Sequence, residues 1–227
     1  MIEELLPGSV AAVEAHDSDA LGDGVCLYPE EEAVIARAVE KRRREFTAVR
    51  GCARRAMEKL GIPPHPVLPG ERGAPRWPDG LVGSMTHCQG YCAAALVRAE
   101  DVASLGIDAE PHDRLPDGVL EAVALPTEQS RLRRLARSHP SLHWDRLLFS
   151  AKESVYKAWF PLTGKWLDFL EADIEIDPGA ASDLRGGFRA RLMVPGPLVD
   201  GRRIEAFDGR WTVRQGLAAT AVVVPHP

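Results

Sequence analysis

Residues 141–160 carry the clearest helical pattern in this 227-residue chain, and what such a helix must cover limits what the rest can be. On a wheel at roughly 100° per residue, Trp144, Leu148, Ala151, Val155, Ala158 and Trp159 share one face, with Leu147 at its edge. That face needs a core. Phe149, Lys152, Glu153, Tyr156 and Lys157 fall on the other side. Two aromatics off the core face ask for a second apolar contact, with a partner or a ligand arm. Glu153 and Lys157 are i, i+4 neighbours; as an exposed pair they contribute only a few tenths of a kcal/mol. Ser150-x-x-Glu153 is not a capping box, because the pattern starts well before Ser150. Taken alone, this is an amphipathic helix with a surface ion pair.

The elements around it suggest what it packs on. Residues 9–14 read as a short strand. Residues 29–40 open a helix with a proline and acids, which suit a first turn, and helical spacing continues through Val49, Ala53, Met57 and Leu60. Gly61 and the prolines at 63, 64 and 66 end it, and residues 61–80 form a loop long enough to be functional. Strands are expected at 81–85, 91–97 and 102–110, then a helix over 119–137 broken at Pro126. Pro161 and Gly164 close the helix at 141–160. Alternating runs at 172–176, 188–194, 210–214 and 217–224 read as antiparallel strands. Helices followed by strands, twice over, predict an α+β fold of two similar halves. The expected halves are residues 1–108 and 109–227. No residue-level repeat accompanies the repeated order.

Composition narrows the setting. Apolar residues make up 45 %, enough for a sizeable core. No apolar run approaches the length of a membrane span and no signal-peptide pattern follows Met1, so a cytoplasmic protein without membrane attachment is expected. Cys26, Cys52, Cys88 and Cys92 form no C-x-x-C pair and read as reduced thiols. The net charge of −5 argues against nucleic acid as a partner. Residues 41–55, KRRREFTAVRGCARR, nonetheless carry seven basic residues and one acid.

The second informative stretch is Gly106-Ile-Asp-Ala-Glu. Alternation puts Leu105, Ile107 and Ala109 on one face and Asp108 with Glu110 on the other, roughly 6.6 Å apart along a strand. Two neighbouring acids are tolerable in water, as on a solvated edge, or with a cation between them. With Glu153 they would make a hard-oxygen site for Mg²⁺ or Mn²⁺.

At this point the residues resemble a family. GIDAEP, followed about forty residues later by FSAKESVYKAW, is similar to the paired signature of the 4′-phosphopantetheinyl transferases. GSMTHCQGY looks like the family's S-x-(S/T)-H segment, and the KRRREF block and ERGAP loop look like its nucleotide-binding parts. Length and spacing resemble the two-lobed Sfp/EntD type, closest to the actinobacterial enzymes of that type. The resemblance implies two α+β halves in a pseudo-two-fold arrangement, with coenzyme A in the cleft between them. The reaction it implies moves the phosphopantetheine arm of coenzyme A to a serine of an apo acyl or peptidyl carrier protein, leaving 3′,5′-ADP. One chain would suffice for one site, as a monomer.

Roles follow from the same resemblance. Asp108, Glu110 and Glu153 would hold the metal, and Glu153 would also take the serine proton. Lys157 would pair with phosphate oxygens, Lys152 would do the same or shield the leaving group, and Thr86 with His87 would meet a phosphate. Arg42 and Arg50, eight residues apart and so on one helix face, would take the 3′-phosphate, with Arg43, Arg44 and Arg54 left on a solvated face. Arg72 and Pro75 would border the nucleotide, although Ala74 stands where the family often has lysine. Phe149, Tyr156 and Trp166 could line the arm's slot or simply pack between lobes. Arg131, Arg133, Arg134 and Arg137 could dock an acidic carrier or form a solvated basic face. Two other functions fit parts of the pattern: a metal-dependent nuclease, and a regulator that binds coenzyme A or a carrier with a dead site. The second is disfavoured because Asp108, Glu110, Lys152, Glu153 and Lys157 are all present.

Overall fold

A computed structural model describes residues 1–16, 25–179 and 184–227. A 3-10 turn at Ile2–Leu5 leads into strand β1 (Ala11–His16). Helix α1 (Pro29–Ile35) starts on its proline, with Glu31 reaching back to the Tyr28 N–H (3.0 Å). Helix α2 (Glu40–Lys59) is separate, where the sequence read as continuous from residue 29. Val39 is extended and begins the new helix, and Arg43 spans the break by donating to Ile35 O and Glu32 (both 2.9 Å). Strands β2 (Leu81–Cys88), β3 (Tyr91–Arg98) and β4 (Ser104–Pro111) follow. Next come helices α3 (Val119–Val123), α4 (Pro126–Ser138) and α5 (Trp144–Thr163). Pro126 opens α4 as the sequence break implied, whereas Pro161 lies inside the last turn of α5 and Gly164, at φ +63°, ends it. The tail forms β5 (Ala172–Asp177), β6 (Arg185–Leu192), a small hairpin β7 (Leu198–Val199) and β8 (Arg202–Arg203), then β9 (Ala206–Arg214) and β10 (Leu217–Val224).

The halves repeat one arrangement. The first sheet is ordered β1-β3-β2 and the second begins β4-β10-β9, continuing to β6 and β5. In each, the opening strand pairs antiparallel with the last strand of its half, and a long helix follows the opening strand and packs on the sheet. In each, a Gln-Gly turn joins the other two strands: Gln89-Gly90 with Gly90 at φ +74°, and Gln215-Gly216 with φ of +52° and +74°. The second turn is the type I′ form, whose twist matches that of the paired strands.

Three apolar clusters glue the layers. α2 packs on β3 through Cys52, Ala53, Met57, Ala94 and Leu96. Between the sheets lie Ala93, Ala95 and Val97 of the first half with Leu105, Ile107, Ala109 and Ala219 of the second. α5 covers the far side of the second sheet through Trp144, Leu148, Val155 and Trp159, with Trp211 and Val222 beneath. The core face assigned to this helix from its spacing is therefore the buried one.

β4 is the seam. Its whole length pairs with β10, so it belongs to the second half, and a division at residue 108 would cut it. On its other side β2 runs in the same direction with no ladder between them. The Ile107 N–H donates to Ser84 Oγ (3.0 Å) and the Ala109 N–H to Thr86 Oγ1 (3.1 Å). The strand is thus buried on both faces as far as Ala109, which corrects the solvated-edge alternative.

Gly106 lets α5 lie directly on this strand: a Cβ there would stand 2.0 Å from Ser154 O and 2.7 Å from Ala158 N. Beside it Ser104 Oγ donates to Ala158 O (2.7 Å). These are backbone atoms, which cannot step aside as a side chain would. Gly106→Ala is expected to destabilise the fold by about 3 kcal/mol or more, read as a drop in the urea midpoint. An unchanged midpoint would show that the helix is not held there.

Candidate active site at the seam between the halves

The face of β4 that points at α5 carries Asp108. It is buried, and Oδ1 accepts from Lys157 Nζ (2.8 Å) and Thr86 Oγ1 (3.3 Å). Lys157 also donates to Ile107 O (3.1 Å). Asp108 Oδ2 is buried with no hydrogen-bond partner. Glu110, two residues on, is partly buried and bound by Arg146 Nη1 at 3.1 Å. Burial, then the Asp108 charge, push its carboxyl up to about 7 in spite of the arginine. Glu153 stands one turn before Lys157, and burial followed by the Asp108 charge raises it as well. The three acids therefore share one electrostatic neighbourhood, with Lys157 and Arg146 as its counter-charges. As they stand, no three acid, histidine or cysteine side chains among the described residues converge closely enough to hold an ion.

Lys152 is a correction. The wheel put it off the core face, but its side chain is only 1 % exposed. Its ammonium is fully used by Glu128 (2.9 Å), Phe169 O (2.5 Å) and Ala172 O (2.8 Å). Burial pulls it below the usual lysine range, against the opposing pull of Glu128. Glu128 is itself fully buried and accepts from the Leu125 and Ile174 N–H groups (both 2.7 Å). The pair ties α5 to α4 and β5, so no donor of Lys152 is left for phosphate.

The aromatics form a wall on the same side of α5. Tyr156 packs on Trp166 (ring centroids 5.0 Å) and Phe160 (5.9 Å), and Phe149 packs on Phe169 (5.8 Å). A cavity of about 240 Å³ opens beside Glu153, lined by Tyr156, Trp166, Leu167 and Phe169. Phe149 is not in its lining. Arg72, at φ +52° in the 3-10 turn Glu71–Gly73, puts its guanidinium 5.6 Å from the Trp166 ring. That contact joins the ERGAP loop of the first half to the loop after α5. Pro75 bridges to Pro69 and shapes the loop's base.

On the first half, Arg42 Nη1 and His87 Nε2 are 2.8 Å apart, with Glu45 at 3.8 Å from the ring. Burial and then Arg42 hold His87 below its ordinary value, and Lys157 adds to the same push. A cavity of about 390 Å³ lies beside them, lined by Lys41, Arg44, Glu45, His87 and Gln89. Thr86 is not a free phosphate contact: its hydroxyl is buried, donating to Asp108 and accepting from the Ala109 N–H. Arg50 is buried, lies 3.4 Å over the Phe46 ring and donates to Val67 O (3.3 Å), so it is packed rather than presented. Arg54 is not on a solvated face. It pairs with the fully buried Glu31 and donates to Cys26 O (2.8 Å). Arg44 is exposed.

Of the arginines considered for docking, Arg131 is engaged by Asp173 and Ile174 O, whereas Arg133, Arg134 and Arg137 are exposed. A groove of about 490 Å³ runs beside them, with Arg114, Leu120 and Leu132 in its lining. The four cysteines are free thiols, with Cys52 Sγ 3.7 Å from Cys92 Sγ. No helix is long and apolar enough to cross a membrane among the described residues.

Three residues that build the site escaped the sequence reading. Gly106 was quoted only as part of a motif, Glu128 was invisible without α4's position, and Arg146 looked like any helix cation. The signal for Arg146 was its spacing of seven from Glu153, which places both on one side of α5.

Two measurements follow. Lys152→Met leaves Glu128 buried and unpaired and is expected to cost about 3–5 kcal/mol; adding Glu128→Gln returns most of it, because Gln still accepts from Ile174 N–H. Glu110 titrates at about 7 in the folded chain against 4.5 unperturbed. Between those values the folded chain holds a proton that the unfolded chain has released, so stability falls as pH rises through that window. Urea midpoints across it should flatten in Glu110→Gln; an unaltered slope would assign the fall to other groups.

Comparisons with known proteins agree with this architecture. The 4′-phosphopantetheinyl transferase N-terminal domain matches residues 30–97, and the 4′-phosphopantetheinyl transferase superfamily matches residues 104–196. The 4′-phosphopantetheinyl transferase Svp of Streptomyces mobaraensis is 59 % identical over 100 % of this chain and 90 % of its own. PptT of Mycobacterium tuberculosis is 49 % identical over 88 % of this chain and 87 % of its own, and Npt of Nocardia iowensis 48 % over 98 % and 99 %. The gap between the two matched segments falls just before β4, where the sheets part. With near-complete coverage at these identities, the chain belongs to the 4′-phosphopantetheinyl transferase superfamily.

Proposed function

We infer that this chain transfers the 4′-phosphopantetheine arm of coenzyme A to a serine of an apo carrier protein, releasing 3′,5′-ADP. The serine Oγ bonds to the β-phosphorus, the bond from that phosphorus to the oxygen bridging the two phosphates breaks, and the leaving group departs with that oxygen. The nuclease alternative gives way to the family assignment. The observation that carries the reading is Lys157, reaching from α5 to Asp108 at the seam, one turn from a partly buried Glu153.

Three carboxylates are the donor chemistry of a hard divalent cation, although as they stand they do not converge on one point. Asp108 Oδ2 is buried and unpaired, and Glu110 and Glu153 are raised by burial and then by the Asp108 charge. Asp108, Glu110 and Glu153 would hold Mg²⁺ or Mn²⁺, which when bound neutralises phosphate charge as a Lewis acid. Lys157 is placed to exchange Asp108 for a phosphate oxygen. Glu153, whose raised affinity for protons suits a general base, takes the serine proton. Arg42 and His87, with Arg44 and Lys41 at the adjoining cavity, supply the anion-binding side for the nucleotide, and Arg72 closes over it from the loop. Thr86 positions Asp108, and Lys152 holds α5. The apolar cavity beside Glu153, walled by Tyr156 and Trp166, takes the pantetheine arm. The exposed Arg133, Arg134 and Arg137 face an acidic carrier. Both metal-binding elements and the anion side come from one chain, which supports action as a monomer, and coenzyme A with reduced thiols supports a cytoplasmic setting.

The test is intact-mass analysis of an apo carrier protein after incubation with the chain, coenzyme A and Mg²⁺. A gain of one phosphopantetheine, lost on chelation, is expected; no gain across several acyl and peptidyl carriers would refute the reading. Glu153→Gln should reduce kcat by roughly 10²–10⁴, and near-normal turnover would remove it as the base.

A further inference from the structure

Arg146 is the unused charge of this site. It sits two turns before Glu153 on α5, and its side chain is 14 % exposed. All three guanidinium nitrogens are engaged, each at 3.1 Å: Nε donates to Asp113 O, Nη1 to Glu110 Oε2 and Nη2 to Arg114 O. All three acceptors lie on the short stretch by which the chain leaves β4. Two are backbone carbonyls, so the planar fork is fixed independently of the carboxylate it also binds. Glu110 therefore takes its position from Arg146. With Oε2 held, Oε1 is the oxygen without a hydrogen bond to any described residue, on a residue that alternation puts on the Asp108 side of the strand.

We propose that Arg146 is a positioning residue: it clamps Glu110 by one oxygen and so presents the other to the divalent cation. This rests on the metal reading above. Carboxylate ligands are commonly oriented by such an outer partner, and its loss weakens metal binding by about 10–100-fold. A surface arginine that merely stabilised the helix terminus would have no such specificity for Glu110.

The experiment is a double-mutant cycle on Mn²⁺ binding with coenzyme A present, measured from the free Mn²⁺ signal in electron paramagnetic resonance. The chains are wild type, Arg146→Gln, Glu110→Gln and the double variant, each checked for folding by near-ultraviolet circular dichroism. Arg146→Gln is expected to weaken Mn²⁺ by about 10–100-fold in the wild-type background and to change it less than about twofold once Glu110 is Gln, the two losses being non-additive. No loss in the first background, or the same loss in both, would overturn the role of Arg146 while leaving the metal site standing. A wild-type chain that binds no Mn²⁺ overturns the metal reading itself and this inference with it. If Arg146→Gln does not fold, Arg146→Lys, which keeps the charge but not the fork, replaces it with the same expected pattern.

Discussion

Helix α5 touches β4 at Gly106 with no side chain between them, and the site depends on that contact. The helix backbone at Ser154 occupies the space a Cβ would need. Neighbouring polar contacts then fix its rotation: Ser104 reaches Ala158 O, and Ser150 shares a buried hydrogen bond with Thr220 of β10 (2.9 Å). With depth and rotation set, Lys157 meets β4 at Asp108 and Ile107 O. Had a larger residue stood at 106, the helix would ride higher and the lysine would miss the strand.

The charges around this contact divide into two systems. Lys152 and Glu128 lie within the second half, both almost wholly buried, and they join helix to helix and sheet. Their burial is costly unless every donor and acceptor is met, and here it is, by two carbonyls and two N–H groups. Lys157, Arg146 and the three acids lie at the seam, where Asp108 Oδ2 is left without a hydrogen-bond partner. The first system is closed and structural; the second keeps unpaired oxygens in a negative neighbourhood, a state that suits an incoming cation.

Much of this was legible in the chain. The period of 3.6 located the buried face of α5, and the period of two sorted Asp108 and Glu110 from Leu105, Ile107 and Ala109. Element order gave the two halves. What a wheel cannot give is what lies opposite its polar face. Lys152 and Lys157 are five residues apart and read alike, yet one meets β5 and the other meets β4. Thr86, Arg50 and Arg54 were likewise judged by residue type, whereas their environment is set by contacts distant in sequence: Asp108, Val67 and Glu31. The break before Glu40 was hidden because the apolar spacing continues across it.

The two Gln-Gly turns give the halves a common origin for counting. From the turn, Tyr91 pairs with His16 and Leu217 with Pro111. Three steps further along each opening strand, Val13 stands where Asp108 stands, and Ala15 where Glu110 stands. The repeat therefore stops at the scaffold: the first half has the strands and the helix but lacks the carboxylates. Among the described residues, only the second lobe's opening strand therefore carries this pair of acids, and the basic side chains of Arg42 and Arg44 belong to the other lobe. Asymmetry of side chains on a symmetric frame is what gives the seam a polarity, with Asp108 and Glu110 on one lobe and Arg42, Arg44 and His87 on the other.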